Sequence, residues 1–107
     1  MDQRLYIVAY DIADTKRWRR VFKLMKGYGE WVQLSVFQCR LSAKQQAELI
    51  ALLDGIIHHT EDHVILLDLG LADKVVPRVV SLGKAEFEVI EHKAIIVCPA
   101  VPARALR

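Results

Sequence analysis

The sequence has little cysteine and no long apolar run. Its two cysteines, Cys39 and Cys98, lie in apolar surroundings, so a disulfide framework is not expected. No apolar stretch approaches the roughly 20 residues that cross a bilayer. Residues 1–11 lack the basic segment and the small-residue cleavage site of a signal peptide. The chain also has no internal repeat and no low-complexity block. These absences predict a reduced, cytoplasmic protein without a membrane segment.

The composition is that of one folded domain. Hydrophobic residues make up 53% of the chain, which is too large a share for a disordered protein. A chain of 107 residues forms a single core but gains stability from a second copy. We assign residues 1–98 to one domain and expect residues 99–107 to be a mobile tail.

Positive charge is concentrated in one part of the chain. The net charge is only +2, yet residues 16–40 hold seven of the 15 Lys and Arg residues and a single acid, Glu30. Phosphate contact depends on local cation density, so this segment suggests nucleic-acid binding. A solvated helix face is the alternative that the charge run alone leaves open.

Apolar periodicity predicts both strands and helices. The strands are expected at 5–10, 31–41, 64–69, 87–91 and 94–97, and the helices at 16–26, 42–53 and 75–82. In the first helix, apolar residues recur at i, i+3, i+4 and i+7. Asp14 or Thr15 is its expected N-cap, and Ser42 with Gln45 forms a capping box for the second helix.

We assign these elements to a ferredoxin-like α+β fold, βαββαβ, with four antiparallel strands, both helices on one face, and a short extra C-terminal strand. The strands at 5–10 and 64–69 are apolar on both faces, which indicates cover on both sides of the sheet. A homodimer packed sheet against sheet is the simplest cover, and the extra strand is expected to add to the partner's sheet edge. Cover by the loops and tail of a monomer is the alternative.

Asp11 stands where the first strand gives way to the basic helix. A carboxylate at this position can hold Mg²⁺, which needs only one or two carboxylates besides waters. In a homodimer the second Asp11 supplies the other carboxylate. A bound divalent cation neutralises phosphate charge and activates water, so Asp11 predicts metal-assisted phosphodiester hydrolysis. A purely structural role, capping the turn into the helix, is the alternative.

Two sequence motifs carry a family resemblance. VAYDIAD (8–14), followed by the basic helix and by YGEWVQLSVFQC (28–39), resembles the CRISPR-associated protein 2 family over residues 5–97. The resemblance implies a ferredoxin-like dimer in which the two Asp11 carboxylates face each other and bracket one divalent ion. It implies a metal-dependent endonuclease acting on RNA or double-stranded DNA, or a scaffold that bridges dimers of the CRISPR integrase. Trp31 and Gln38 stand where the family often has Arg and Glu.

Several further residues are assigned to the site. Tyr10 either donates a hydrogen bond near Asp11 or belongs to the core. Ser35, taken as a strand residue, gives polar support and is not a nucleophile, because no histidine lies near it in the sequence. Phe37 fills the dimer interface or stacks on a base. The predicted phosphate contacts, which carry no base information, are Arg17, Arg19, Arg20 and Lys23.

Residues 58–63 (HHTEDH) contain three histidines and two acids. Their spacing fits no zinc template, and we interpret them as a solvated loop. The leading hypothesis is therefore a Mg²⁺-dependent endonuclease of CRISPR adaptation. A non-catalytic DNA-binding scaffold is the second hypothesis. A regulatory domain that binds a small effector is the third, and it requires a ligand pocket.

Overall fold

A computed structural model describes residues 2–83 and 96–98. Within them, four antiparallel strands form one sheet in the order β2-β3-β1-β4, and two further strands pair in parallel. The elements are β1 Arg4–Asp11, α1 Thr15–Tyr28, β2 Glu30–Gln33, β3 Val36–Leu41, α2 Ala43–Ile56, β4 His63–Leu71, β5 Arg78–Val80 and β6 Ile96–Cys98. The first six follow the order βαββαβ, so the predicted ferredoxin-like α+β fold is confirmed. None of the described helices is long and apolar enough to span a bilayer.

The single strand predicted at 31–41 is wrong, because the structure divides it into the hairpin β2–β3. Leu34 and Ser35 form the turn between the paired residues Gln33 and Val36, with Leu34 at a φ of 40°. The Trp31 indole donates to the Leu34 carbonyl at 3.0 Å, which ties the strand to its own turn. The turn contains no glycine, proline or asparagine. Ser35 is its one turn-favouring residue, so the apolar pattern continued through it with only a weak turn signal.

The helix predicted at 75–82 is also wrong. Arg78–Val80 is instead a short strand that pairs in parallel with Ile96–Cys98, which overlaps the strand predicted at 94–97. Pro77 removes a backbone donor, and the β-branched valines around it favour extended backbone, which explains the outcome. The strand predicted at 87–91 and the tail at 99–107 lie outside the described residues.

One face of the four-stranded sheet carries the core. In the register of the strands, Val8 pairs with Phe37 on one side and Leu66 on the other, so these side chains share a face. The helices cover this face, and the buried cluster contains Tyr6, Val8, Tyr10, Val21, Met25, Phe37, Cys39, Leu41, Leu49 and Leu53. Cys39 is a free thiol, and burial raises its pKa to about 12.

The other face is apolar but open, and we call it the open sheet face. Ile7 pairs with Leu67, and Ala9 pairs with Ile65, so all four side chains lie on it. Leu67 is 55% exposed and Ile65 is 48% exposed, although both belong to a sheet strand. The prediction that β1 and β4 are apolar on both faces therefore holds for the described chain.

The helix ends follow the predicted signals. Asp14 is the N-cap of α1 and accepts from the Arg17 backbone N–H at 2.9 Å. Ser42 and Gln45 form the predicted capping box of α2, which extends to Ile56. Gly29 ends α1 with extended backbone, and a Cβ there would collide with the Cys39 sulfur and the Gln38 carbonyl. Glycine is thus required at 29 by a close approach of two elements.

Candidate metal and nucleic-acid site

Asp11 lies at the end of β1 on the open sheet face. It pairs with His63, the first residue of β4, so the carboxylate and the imidazole project from the same side of the sheet. The Asp11 side chain is exposed. A shallow depression of about 190 Å³ surrounds it, lined by Ala9, Tyr10, Asp11, His63 and Ile65. The structure thus places the predicted metal ligand at an accessible position at the edge of an apolar surface.

The Asp11 carboxylate is available as a ligand. Within residues 2–83 and 96–98 it makes no hydrogen bond and no ion pair, whereas Asp14, Asp62 and Asp68 are all engaged. Oxygen donors of this kind suit a hard divalent cation. No group of three or more His, Cys, Asp or Glu side chains that could hold a metal occurs among the described residues. Among the residues that line this depression, Asp11 therefore offers one carboxylate without a partner, which fits a cation that keeps most of its waters or shares a second protomer's carboxylate.

Asp62 holds the segment that follows Asp11. Its carboxylate accepts from the backbone N–H of Ala13 at 2.8 Å and from that of His58 at 2.7 Å. It also accepts from Arg17, at 2.8 Å from Nε and 3.3 Å from Nη2. The Asp62 side chain has no solvent exposure. These contacts join the β1–α1 connection, the first turn of α1 and the loop before β4.

The groups around the Asp62 carboxylate lower its pKa. The hydrogen bonds from Arg17, followed by those from His58 and Ala13, hold the pKa of the Asp62 carboxyl well below its usual range and outweigh the effect of burial. Arg17 also donates to Glu61 at 2.9 Å. The Arg17 guanidinium is thus occupied by two carboxylates, and we remove it from the proposed phosphate contacts.

The remaining predicted cations form one exposed stripe on α1. Arg19, Arg20 and Lys23 are exposed, and none of them makes a hydrogen bond or ion pair within the described chain. With Lys16 they follow the i, i+3, i+4, i+7 spacing of one helix face. The buried residues Val21 and Met25 lie on the opposite face of α1. We call this set of four residues the basic stripe, and its charge is free to contact phosphates.

Ser35 supports the site from a turn and not from the predicted strand. Its hydroxyl accepts from the Trp18 indole at 2.8 Å, and its carbonyl accepts from the Tyr10 backbone N–H at 3.1 Å. These contacts tie the β2–β3 turn to the end of β1 and to α1. Ser35 therefore fixes neighbouring elements, and no contact from residues 2–83 or 96–98 activates its hydroxyl as a nucleophile.

Tyr10 and Phe37 belong to the core beneath the helices. Phe37 has no exposed surface and packs against Tyr10 and Phe22, at ring centroid distances of 6.3 and 5.5 Å. The register places it on the helix-covered face, so the prediction that it fills a sheet-to-sheet interface or stacks on a base is wrong. Burial raises the pKa of the Tyr10 hydroxyl to about 12, and the nearby Ser35 side chain offsets this rise only in part. The Tyr10 hydroxyl has no hydrogen-bond partner within the described residues. Tyr10 is thus core and does not donate near Asp11.

Sequence reasoning missed Asp62. It lay within a run of His and acidic residues that was interpreted as a solvated loop, and much of that loop is indeed exposed. The available signal was position, because Asp62 directly precedes an apolar strand, where a carboxylate can accept backbone N–H groups of a neighbouring connection. His63 was missed for a different reason, since only the strand register sets it beside Asp11.

The chain is similar to proteins of one family. The family profile described as CRISPR associated protein Cas2 matches residues 4–74. A Rhodospirillum rubrum protein named CRISPR-associated endoribonuclease Cas2 1 is 56% identical over 95 residues, covering 89% of this chain and 92% of that protein. A Geobacter sulfurreducens protein named CRISPR-associated endoribonuclease Cas2 is 52% identical over 95 residues, covering 89% and 99%. The crystal structure of Streptococcus pyogenes Cas2 at pH 6.5 matches with a TM-score of 0.59 and 32% identity, covering 62% of this chain and 86% of that chain.

Proposed function

The chain belongs to the CRISPR associated protein Cas2 family, and we propose that it is a metal-dependent endonuclease of CRISPR adaptation. The observation that carries the proposal is the exposed Asp11 carboxylate, which ends β1 and makes no hydrogen bond or ion pair with any described residue. Its sequence relatives are named endoribonucleases, and one Thermus thermophilus relative is named an endonuclease. We therefore propose phosphodiester bonds of RNA or double-stranded DNA as the target.

The chemistry follows from which residues are free. Asp11 is the residue that would hold a divalent cation, with Mg²⁺ the best match to a carboxylate donor. Such a cation, when bound, supplies charge neutralisation at a phosphate and a nucleophilic water at neutral pH. The basic stripe orients the backbone by charge and not by base contacts, so cleavage should show little base preference. His63 lies beside Asp11 on the same face and shapes the approach to it.

We propose a homodimer that uses the open sheet face. The exposed side chains Ile65 and Leu67, with Ile7 and Ala9 between them and β3, make an apolar surface on a sheet whose other face is already covered. Burial of such a surface is favourable at about 25 cal/mol per Å². Because Asp11 lies at the rim of the same face, a two-fold arrangement brings two carboxylates to one interface. Each chain then contributes one ligand.

Replacement of Asp11 tests the nuclease proposal. Asp11→Asn removes the charge but little volume, and we expect loss of Mg²⁺-dependent cleavage of RNA and duplex DNA with an unchanged folded dimer. Asp14→Asn is the matched control, because asparagine also caps helices and Asp14 serves α1 only. Cleavage that survives in the purified Asp11→Asn protein would assign the activity to another site or to a contaminant.

A non-catalytic scaffold is the second candidate. The basic stripe projects from the helix layer, on the other side of the sheet from the open face that carries Asp11. Duplex DNA bound along the stripe is therefore not directed at Asp11, except near the start of α1. The proposed partners in this role are DNA and the CRISPR integrase. Spacer capture in cells that survives Asp11→Asn but fails with Arg19→Glu and Arg20→Glu combined would favour the scaffold.

Neither of two cavities in the described part of the chain supports a small-effector regulatory domain. The apolar cleft between α2 and β4, lined by Ile50, Leu53, Asp54, Ile57, Val64 and Leu66, has a volume of about 150 Å³. The depression at Asp11 has about 190 Å³. Ligand pockets usually have roughly 300–1,000 Å³. Both cavities are too small for a drug-sized effector.

A further inference from the structure

The buried carboxylate of Asp62 is the most heavily bonded side chain near Asp11. We propose that Asp62, with Arg17 as its counter-ion, is a positioning residue that fixes the Asp11 carboxylate by holding the β1–α1 connection. This inference rests on the function proposed for Asp11. The loop before β4, which carries Asp62, then has a role of its own in the site: it holds Asp11 in place, which neither the basic stripe nor Asp11 itself does.

The donors to Asp62 come from three separate segments. One oxygen, Oδ1, accepts from Ala13 N at 2.8 Å and from Arg17 Nη2 at 3.3 Å. The other oxygen, Oδ2, accepts from Arg17 Nε at 2.8 Å and from His58 N at 2.7 Å. Hydrogen bonds to an ionised, solvent-free carboxylate are stronger than neutral ones. Asp62 therefore links the β1–α1 connection, α1 and its own loop at a single point.

Asp11 is held between this point and the sheet. Its backbone pairs with His63, the residue directly after Asp62, so the β1–β4 ladder fixes Asp11 from one side. On the other side, only residues 12–14 separate it from α1, and the middle one donates to Asp62. Asp14 at the end of this connection caps α1. Without the Asp62 bond, the peptide after Asp11 loses the only hydrogen bond that it makes between the strand and the helix cap in the described chain, and only the packing of Ile12 against the core remains.

The position of a metal-binding carboxylate affects the rate of cleavage more than it affects the affinity for nucleic acid. A misplacement of about 1 Å at a catalytic group can lower a rate by roughly 100-fold. Nucleic-acid affinity, in contrast, depends on the basic stripe, which Asp62 does not contact. A positioning role therefore lowers kcat and metal affinity while KM for the nucleic acid changes little. A merely structural role would lower the melting temperature without this split.

The test compares three variants of the full-length protein. Asp62→Asn keeps the side-chain volume but places an NH₂ group where an oxygen accepts two donors. Asp68→Asn is the matched control, since Asp68 is also paired with an arginine, Arg4, at 2.9 Å, but is exposed and lies far along β4. Arg17→Gln removes the counter-ion and leaves the Ala13 and His58 bonds, so it serves if Asp62→Asn does not fold.

Three measurements are made below the melting temperature of each variant. They are hydrogen exchange at the Ala13 amide, Mn²⁺ binding followed by paramagnetic broadening of the Asp11 amide signal, and kcat and KM for Mg²⁺-dependent cleavage. For Asp62→Asn we expect faster exchange at Ala13, at least about tenfold weaker Mn²⁺ binding, and kcat lowered roughly 10- to 100-fold with KM within about twofold. Asp68→Asn should match the wild type, and Arg17→Gln should fall between the two.

Each remaining outcome decides the proposal. A folded Asp62→Asn protein with wild-type Mn²⁺ binding and kcat overturns it, even if exchange at Ala13 becomes faster. If the wild type shows no Asp11-dependent cleavage, the nuclease function fails, and Mn²⁺ binding alone then decides whether Asp62 positions Asp11. If Mn²⁺ does not bind the wild type at all, both proposals fail.

Discussion

The Arg17 guanidinium donates to the Asp62 carboxylate across the junction of α1 and the loop before β4, with Nε 2.8 Å from Oδ2. This pairing gives an arginine of the basic helix a structural partner, while Arg19 and Arg20 on the same helix remain free for phosphates. Replacement of Arg17 should therefore lower the stability of the fold, whereas replacement of Arg19 or Arg20 should weaken the binding of phosphates. The pairing also makes a carboxylate in an apparently solvated loop important for stability.

Stability should depend on pH through Asp62. Its pKa is lower in the folded protein than the value of about 4 in an unfolded chain. The unfolded state therefore binds the proton more readily, so the stabilising effect is complete above about pH 4 and is lost as pH falls towards the folded pKa. Urea unfolding of wild type and Asp62→Asn should show the largest difference near pH 7 and a shrinking one below pH 4. A difference that does not change with pH would contradict this assignment.

Salt dependence should separate the two groups of arginines. Each phosphate contact contributes about 0.9 to the slope of log affinity against log salt for duplex DNA. Arg19→Gln and Arg20→Gln should each reduce this slope by about 0.9, measured by fluorescence anisotropy at several salt concentrations. Arg17→Gln should leave the slope unchanged but lower the melting temperature. Equal slope changes for all three variants would show that Arg17 also contacts phosphate.

Phe37 should matter for stability and not for nucleic-acid binding. Truncation of a fully buried phenylalanine usually costs about 3–5 kcal/mol of unfolding free energy, and Phe37 packs between Tyr10 and Phe22. We expect a cost of this size for Phe37→Ala in urea unfolding. Phe37→Leu should be milder and should bind nucleic acid with wild-type affinity. Weaker binding by a stable Phe37→Leu protein would support base stacking instead.

Association should depend on the open sheet face. Leu67→Lys places a charge on this face, and a symmetric dimer contains the substitution twice. Loss of about 1.5 kcal/mol per copy corresponds to a rise in the dimer Kd of roughly 100-fold. Leu52→Lys is the control, because Leu52 on α2 is similarly exposed, at 47% against 55%. Sedimentation that shows equal dissociation for both variants, or none for Leu67→Lys, would exclude this face as the interface.

Gln38 should be replaceable by an apolar residue. It is 1% exposed, and neither atom of its side-chain amide has a hydrogen-bond partner in the described structure. A buried polar group without a partner costs about 1–3 kcal/mol. Gln38→Met has a similar volume and should raise the unfolding free energy by up to that amount. A lower unfolding free energy in urea would reveal a hydrogen-bond partner for the amide. A loss of stability that occurs only at low protein concentration would place that partner in the second protomer.

The sequence by itself determined the α+β class, the helix caps and the position of Asp11, although the predicted elements did not separate β2 from β3. These depend on local signals, namely apolar periodicity, the Ser42–Gln45 box and a carboxylate at a strand end, and each acts within a few residues of the chain. The β2–β3 turn was missed because Leu34 and Ser35 carry only a weak turn signal. Strand β5 was missed because Pro77 within valines was assigned to a helix. Both errors concern residues whose local preference is weak.

Only the tertiary structure decided which side chains meet. The strand register turned Tyr10 and Phe37 towards the helices and set His63 beside Asp11, because a shift of one residue moves every side chain to the other face. The packing of α1 against the loop before β4 brought Arg17 within hydrogen-bond distance of Asp62. Such contacts join residues about 45 positions apart. No local pattern encodes them, since they depend on the whole arrangement of the sheet and its helices.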